Sequence, residues 1–364
     1  MHYIIKVRCG RLVPAILAVF LFVSCASNHA DDRVHFSLSG EPSSLAESDQ
    51  YVYWVSCENG NDPVEASWYV SSFDKNGKKN WEIYQPTSGK VFPLKDGRFF
   101  YAATNGEVTA YEASGKQLFK KQLNLAEDSN FNFFLNKKED LTVNITSTQN
   151  VSTVYCVISI NGERVDMPET ANLAAGITYN YPPGGYIAEG FTDDGGHTWR
   201  IYRFRDDFSV EWTYAAENGD NNLRVSDISP NGEILLRGHT AQMETTFLRK
   251  LDPQGNEIND IHFQSPNVTA AYFGDKIVAS ADKLRVLNSD FTVSAEFDAF
   301  MFARIKTFEK SFFVYSPGSY AHNASVVYDG YCRQYDENNS LIFSENYRSS
   351  SFTEIGDNGK LYFK

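Results

Sequence analysis

Apolar runs of five to eight residues, alternating or continuous, follow one another along most of this chain, and the breaks between them are rich in Gly, Asn and Asp. That is a strand pattern punctuated by turns, and no convincing helix interrupts it. The runs group in fours. Val91 to Leu94, Phe99 to Ala103, Val108 to Tyr111 and Gln117 to Lys121 form one set. Phe131 to Leu135, Leu141 to Thr146, Thr153 to Ile160 and Arg164 to Met167 form the next. Ile177 to Tyr181, Tyr186 to Phe191, Trp199 to Phe204 and Val210 to Tyr214 form a third, and further sets start near Leu223, Val268 and Phe302.

Within each set the last two runs are joined by a recurring hairpin signature, an apolar strand ending in Asp, Asn or Glu before a tight turn. The copies pass through Asp74, Glu112, Asn161, Asp206, Asp252, Asn288 and Asp336, at spacings of 38, 49, 45, 46, 36 and 48 residues. That period is the length of a four-stranded propeller blade. With strands A to D named from the centre outward, there are seven C–D pairs. There are eight A–B pairs if Tyr51 to Ser56, with a weak strand before it, and Phe352 to Phe363 are both included. The pattern therefore predicts an all-β fold, a seven-bladed β-propeller closed by a blade drawn from both chain ends. Eight blades is the alternative, if the terminal pairs belong to separate blades.

The turns carry a reason for their composition. Asp or Asn followed shortly by Gly lets the side chain bond its own backbone while Gly takes a positive φ. Trp81, Phe119 and Trp212, a few residues after such turns, are expected to pack between blades. The stretches Phe73-Asp74-Lys75-Asn76-Gly77-Lys78-Lys79-Asn80-Trp81 and Ala110-Tyr111-Glu112-Ala113-Ser114-Gly115-Lys116-Gln117-Leu118-Phe119 resemble the repeat of quinoprotein-like (PQQ-like repeat) propellers, and two blades carry it strongly. In organisation the chain also resembles the propeller lipoprotein of the outer-membrane β-barrel assembly machine, which implies a scaffold without cofactor. The cofactor-bearing quinoprotein dehydrogenases rely on vicinal cysteines, and none occur here.

Residues 1–24 read as a processing segment: Lys6, Arg8 and Arg11 precede the apolar run Leu12 to Val23, which is short for a membrane span. Its end, Phe22-Val23-Ser24-Cys25, resembles a bacterial lipoprotein signal, which implies cleavage before Cys25 and lipidation of that residue, palmitate included. Phe22 replaces the usual Leu, and a plain secretory signal is the other reading. Ala26 resembles the outer-membrane sorting pattern. Residues 25–50 read as the lipidated cysteine and a flexible tether, and 51–364 as the propeller. Val34, Phe36 and Leu38 alternate with polar residues, so a short strand docked on the outside of the ring is the competing reading.

Charge narrows the partners. Without residues 1–24 the chain holds 30 basic and 46 acidic residues, a formal charge of −16, which repels nucleic acid and anionic lipid headgroups. Membrane attachment is expected through the anchor only, and the chain is expected to be monomeric. Cys57, Cys156 and Cys332 remain in the processed chain. Cys57 and Cys332, in the first and last blades, are candidates for a disulfide across the closure. Three separate buried thiols is the other reading.

Thr192-Asp193-Asp194-Gly195-Gly196-His197-Thr198-Trp199 fits the Asp-box of sialidase-like propellers, with Thr192, Asp194, Gly196, Thr198 and Trp199 at its defined positions. In those families the box is structural. A sialidase would also need three arginines, a Tyr–Glu pair and an Asp from different blades. Arg203, Arg205, Arg237 and Arg304 are available without context that singles them out, and the paired carboxylates of glycoside hydrolysis meet only in three dimensions. Metal-ligand spacing, phosphate-cradling loops and nucleophile elbows are absent from the sequence. Variable loops on a rigid scaffold usually bind. The longer B–C connections, Ser147 to Ser152, Thr192 to Thr198 and Ser316 to Asn323, nominate Gln149, Asn150, Tyr320 and His322 as contacts for an envelope protein or glycan, on a face that also carries Glu217 to Asp220. The expected function is a noncatalytic scaffold in the bacterial envelope, with no cofactor, metal or catalytic residue assigned. A carbohydrate-active, sialidase-like enzyme is the alternative.

Overall fold

The computed structural model describes residues 33–39, 41–58, 66–123, 129–147, 152–166, 170–171, 174–192, 198–216, 220–240, 245–298, 303–317, 319–320, 327–347 and 352–363. Seven four-stranded antiparallel blades follow one another in chain order. Blade 1 is Glu41–Glu47, Tyr51–Glu58, Ser67–Asp74 and Lys79–Gln85; blade 2 is Gly89–Pro93, Phe99–Ala103, Glu107–Tyr111 and Gln117–Gln122. Blade 3 is Ser129–Leu135, Leu141–Ser147, Ser152–Ile158 and Arg164–Asp166, with Thr170–Ala171 beside its third strand. Blade 4 is Ala174–Asn180, Tyr186–Thr192, Thr198–Phe204 and Val210–Ala215. Blade 5 is Asn221–Ile228, Ile234–His239, Thr246–Leu251 and Glu257–Phe263; blade 6 is Thr269–Phe273, Lys276–Ser280, Leu284–Leu287 and Val293–Phe297. Blade 7 is Arg304–Thr307, Ser311–Ser316, Gly330–Asp336 and Leu341–Tyr347.

Among the described residues blade 8 has three strands: Phe352–Ile355, Leu361–Phe363 and, from the other end of the chain, Arg33–His35, which pairs parallel to Leu361–Phe363. The propeller therefore has eight blades rather than seven. Counting C–D turns undercounts it because blade 8 has no such turn among the described residues. Blade 1 also begins earlier than expected, since Glu-Pro-Ser-Ser-Leu-Ala-Glu makes a strand without strand-like alternation. Residues Arg33–Glu47, placed in the tether by the sequence, thus belong to the ring. A strand does form at Val34, as the competing reading had it, but it pairs inside blade 8 and closes the ring instead of docking on its outside.

The burial patterns explain the two kinds of apolar run. Middle strands such as Phe99–Ala103 and Thr246–Leu251 are buried at every position because another blade covers each face. Outer strands such as Gln117–Gln122 and Val210–Ala215 alternate between exposed and half-buried. The core is divided among the junctions. Tyr53, Val70, Phe99 and Tyr101 join blades 1 and 2, and Phe313, Cys332, Ile355 and Phe363 join blades 7 and 8. Val34, Phe36, Trp54, Phe73 and Tyr362 join blades 8 and 1 and close the ring. Burying Val34 and Phe36 removes two side chains from water, each contributing about 1.5–3 kcal/mol.

The turns behave as their composition requires. Asp74 Oδ1 accepts from the amides of Asn76 and Lys78 at 2.9 and 3.0 Å, and Gly77 takes φ 86°. The blade 5 turn repeats this, with Asp252 Oδ1 accepting from Gln254 and Asn256 at 2.9 and 2.8 Å. Trp81, Phe119 and Trp212 do lie between blades. The Trp81 and Trp212 indoles donate to the carbonyls of Ala113 and Pro253, each on the next blade's turn, at 2.8 and 3.1 Å. Cys57, Cys156 and Cys332 are buried free thiols. Blade 8 separates the blades of Cys57 and Cys332, so the proposed bridge does not form and the separate-thiol reading describes them.

Candidate functional site

Inner strands of nonadjacent blades share two cavities, which places both on the propeller axis. One, of about 620 Å³, is bordered by Glu47, Lys75, Lys95, Lys137, Glu139 and Asp357, near the A–B turns of blades 8 and 1 to 3. The other, of about 640 Å³, brings together Tyr179, Asp227, Arg237, Arg304, Tyr315 and Glu354 from blades 4, 5, 7 and 8.

The ionisable groups here mostly tie one blade to the next. Arg304 Nη1 donates to Glu354 Oε2 at 3.1 Å, and the Tyr315 hydroxyl donates to Glu354 Oε1, joining blade 7 to blade 8. Lys306 Nζ donates to the Ile355 carbonyl and to Asp357 Oδ1, both at 2.7 Å. Glu47 of blade 1 takes the Lys75 ammonium at 2.5 Å and the Tyr362 hydroxyl at 3.1 Å. It also takes the Asp357 amide at 3.1 Å. On the opposite side Asp227 accepts from the amides of Ile228 and, on blade 6, Tyr272, both at 2.8 Å. Burial pushes the Asp227 carboxyl above the ordinary carboxylate range while these two bonds pull it down. Burial likewise raises the Tyr179 hydroxyl to about 12, and it pushes up the Tyr315 hydroxyl, which also faces Glu354. Arg237 is exposed and donates to the Val268 carbonyl at 3.2 Å.

The arginines considered from sequence separate into different roles. Arg203 is buried, donates to the carbonyls of Phe204 and Gly184, and lies 4.1 Å over the Tyr181 ring. That holds the A–B turn of blade 4 in place, so Arg203 does not sit on a solvated face. Arg205 is exposed. Arg237 and Arg304, in contrast, line one cavity.

Of the Asp-box, Thr192 and Thr198 pair at the ends of adjoining strands, and Trp199 joins the blade 4–5 core with the Arg224 guanidinium 4.7 Å over its ring. Asp194 and Gly196 lie outside the described residues, as do Cys25, Gln149, Asn150 and His322. Tyr320 is in a two-stranded antiparallel sheet, Ser319–Tyr320 with Val327–Tyr328, within the B–C connection of blade 7. Of the acidic Glu217–Asp220 segment, Asp220 is described and holds Arg249 at 2.8 Å. Among the described residues no group of three His, Cys, Asp or Glu side chains is arranged to hold a metal.

Sequence reasoning missed Tyr179, Asp227, Tyr315 and Glu354. A usable signal exists in the repeat length. Lys137 reaches the Tyr181 carbonyl 44 positions on, and the Tyr272 amide reaches Asp227 from 45 positions on. Polar residues one repeat apart on inner strands are thus neighbours across a junction.

No protein-family model matches the chain, and neither does any curated protein. Solved structures do. The dihydro-heme d1 dehydrogenase NirN in complex with DHE aligns at TM-score 0.58 and 9% identity, covering 86% of this chain and 67% of that one. KlHsv2 with loop 6CD replaced by a Gly-Ser linker aligns at TM-score 0.52 and 8% identity, covering 90% and 97%. BamB from Moraxella catarrhalis is also similar, at TM-score 0.37 and 10% identity over 79% and 94%. At these identities the likeness shows the fold alone, a β-propeller.

Proposed function

We propose that the chain is a noncatalytic, partner-binding disc of the bacterial envelope, anchored through lipid on Cys25 at the outer membrane and engaging an envelope protein or glycan through its B–C face. The observation that supports it best is the use of the channel's charged groups. Arg304, Lys306, Asp227 and Glu354 are engaged in bonds that hold inner strands of neighbouring blades together, and Lys75, on the C–D turn of blade 1, holds Glu47 of that blade's inner strand. They act as ties, not as an acid and base poised around an open reaction centre. The strand ends Ser147, Ser152, Thr192, Thr198 and Ser316 lie on the B–C side of their blades, with Ser319–Tyr320 paired to Val327–Tyr328 in the blade 7 connection. The test is crosslinking in intact cells and affinity capture of the tagged protein. A reproducible partner, lost when residues 147–152 are replaced, is expected. No partner above a lipoprotein control would count against the reading.

A second reading has one observation in its favour. The hydrogen-bonded Tyr315–Glu354 pair shares a cavity with Arg237, Arg304 and Asp227. A tyrosine nucleophile with a carboxylate base, arginines for an acidic sugar and a separate acid is the group set a sialidase-like enzyme needs. Release of sugar from a sialoside, abolished by Tyr315→Phe, would establish it; turnover unchanged in that variant, or none at all, would remove it.

A further inference from the structure

The ring has two unlike faces, and the chain enters it at one of them. Strands alternate in direction within each blade, so the A–B and C–D turns share one face and the B–C and D–A connections share the other. Every A–B and C–D turn is among the described residues. Arg33 pairs with Leu361, which follows the Gly356 to Lys360 A–B turn of blade 8, and its strand runs parallel to Leu361–Phe363, away from that turn. Arg33 therefore stands at the turn face.

Seven residues, 26–32, separate Arg33 from Cys25. The eight Cα steps between them reach at most about 29 Å when fully extended. A seven-residue strand such as Tyr186–Thr192 alone stands about 23 Å high, before the connections at its ends are added. A lipid on Cys25 thus keeps the turn face near the bilayer, because turning the disc over would need those residues to run extended up its whole side.

The turn face is also divided in charge. The turns of blades 1 to 3 expose five lysines, Lys78, Lys95, Lys116, Lys137 and Lys138, against three carboxylates, whereas the turns of blades 4 to 7 expose six carboxylates against Arg205 and Lys310. The chain as a whole is acidic, so these lysines set which part of the disc lies nearest an anionic surface and do not by themselves hold it there.

We infer that the protein sits on the bilayer with its A–B and C–D turns toward the lipid headgroups, the turns of blades 1 to 3 nearest, and its B–C connections facing the aqueous space. The occupant of the turn face is a lipid surface. The inference rests on the reading of Cys25 as the anchor, and it adds that the B–C face meets its partner on the side away from that membrane.

The test uses the mature lipidated protein in vesicles that carry a rhodamine-labelled headgroup. Cys57, Cys156 and Cys332 are buried, so a thiol-reactive fluorescein reports on an introduced cysteine. Asn76→Cys and Gln254→Cys place it on exposed turns of blades 1 and 5, and Gln264→Cys places it beyond the far end of the blade 5 outer strand, on the opposite face. Energy transfer is expected to be highest from position 76, lower from 254, and at least about twofold lower from 264 than from 76, given strands about 23 Å high. When phosphatidylglycerol is mixed into phosphatidylcholine, transfer from position 76 should rise relative to 254. Changing Lys78, Lys95 and Lys138 to Gln should remove that rise; Lys116 and Lys137 are kept because they bond Glu112 and the Tyr181 carbonyl. Raising salt from about 0.1 M to about 1 M should do the same, since the screening length falls from about 10 Å to about 3 Å. Transfer highest from position 264, or equal from all three, would overturn the orientation and leave the anchor intact. No rise with phosphatidylglycerol would overturn the placing of blades 1 to 3. A mature chain whose mass lacks acyl groups would remove the anchor reading, and this orientation with it.

Discussion

At the junction of blades 4 and 5 the Trp212 indole lies beneath the Asp252–Gly255 turn and donates to Pro253; at the junction of blades 7 and 8 the matching Phe343 ring borders a cavity of about 470 Å³. Both rings stand four residues beyond a positive-φ residue, and both outer strands alternate in burial. The difference lies in what the next blade brings. Blade 5 brings a full set of four strands, whereas among the described residues blade 8 brings two and borrows a third from the far end of the chain. A repeat array can therefore close with a defective unit, provided that the borrowed strand is well anchored.

That anchoring is the first thing to break. Phe36 is 3% exposed and lies 5.0 Å from the rings of Phe73 and Tyr362, edge-on to each. Phe36→Ala is expected to cost about 3–5 kcal/mol in urea unfolding, as large-to-small core changes do. It should open the blade 8–1 junction, seen as faster amide exchange along Leu361–Phe363. A loss below about 1 kcal/mol would mean that the ring does not depend on its borrowed strand.

Truncating the two matching rings comes next. Trp212→Ala removes a ring that is covered and hydrogen-bonded, so a loss of about 3 kcal/mol is expected. Phe343→Ala removes a ring that borders a cavity of about 470 Å³, and a smaller loss, about half, is expected. Equal losses would show that the cavity is not a real difference between the junctions. Gly255→Val sharpens the same contrast, since its Cβ would meet Trp212 at 2.8 Å and its φ of 86° disfavours any branched residue.

These contrasts also mark what the sequence could disclose. Strand Phe99–Ala103 has the same limits in the sequence pattern and in the structure, and the packing of Trp81, Phe119 and Trp212 follows from rings recurring after turns. The blade 8 pair Phe352 to Phe363 was legible, but eight blades stood only as the alternative because the counted signal is the C–D turn, which blade 8 lacks among the described residues. Glu41–Glu47 was legible only as a weak strand before Tyr51, because Pro42, Ser43 and Ser44 make a poor strand on their own, and pairing with Tyr51–Glu58 imposes it. The channel site was the least legible. Tyr315 and Glu354 lie 39 positions apart and meet only after two blades have stacked.

Turn chemistry gives a smaller effect. In blade 7 the turn places Asn339 at φ 64° where blade 5 has Gly255, while Asp336 Oδ1 still accepts from Asn338 and Ser340 at 2.9 and 2.8 Å. Asn339→Gly is expected to change stability by under about 1 kcal/mol, because Asn tolerates this conformation and Gly adds freedom to the unfolded chain. Thermal unfolding would check it, and a large gain would indicate backbone strain stored in blade 7 alone.

The smallest expected effect separates the inner ties of the two sides. Blade 8 holds blade 7 through Arg304 and Tyr315 on Glu354, an ion pair with a hydroxyl, whereas blades 5 and 6 are joined by Asp227 accepting the Tyr272 amide. Burial raises the Asp227 carboxyl despite its backbone bonds, so the folded chain holds that proton more tightly than the unfolded chain does. Its stabilising contribution is then full below the unfolded carboxylate value and is lost as pH rises through the raised folded value. Asp227→Asn removes this dependence, so the stability difference between wild type and variant should drift against the wild type across that interval. Urea unfolding of both chains in parallel at stepped pH measures it. A drift in favour of the wild type would mean that the bonds from Ile228 and Tyr272 outweigh burial, and that Asp227 is a charged tie after all.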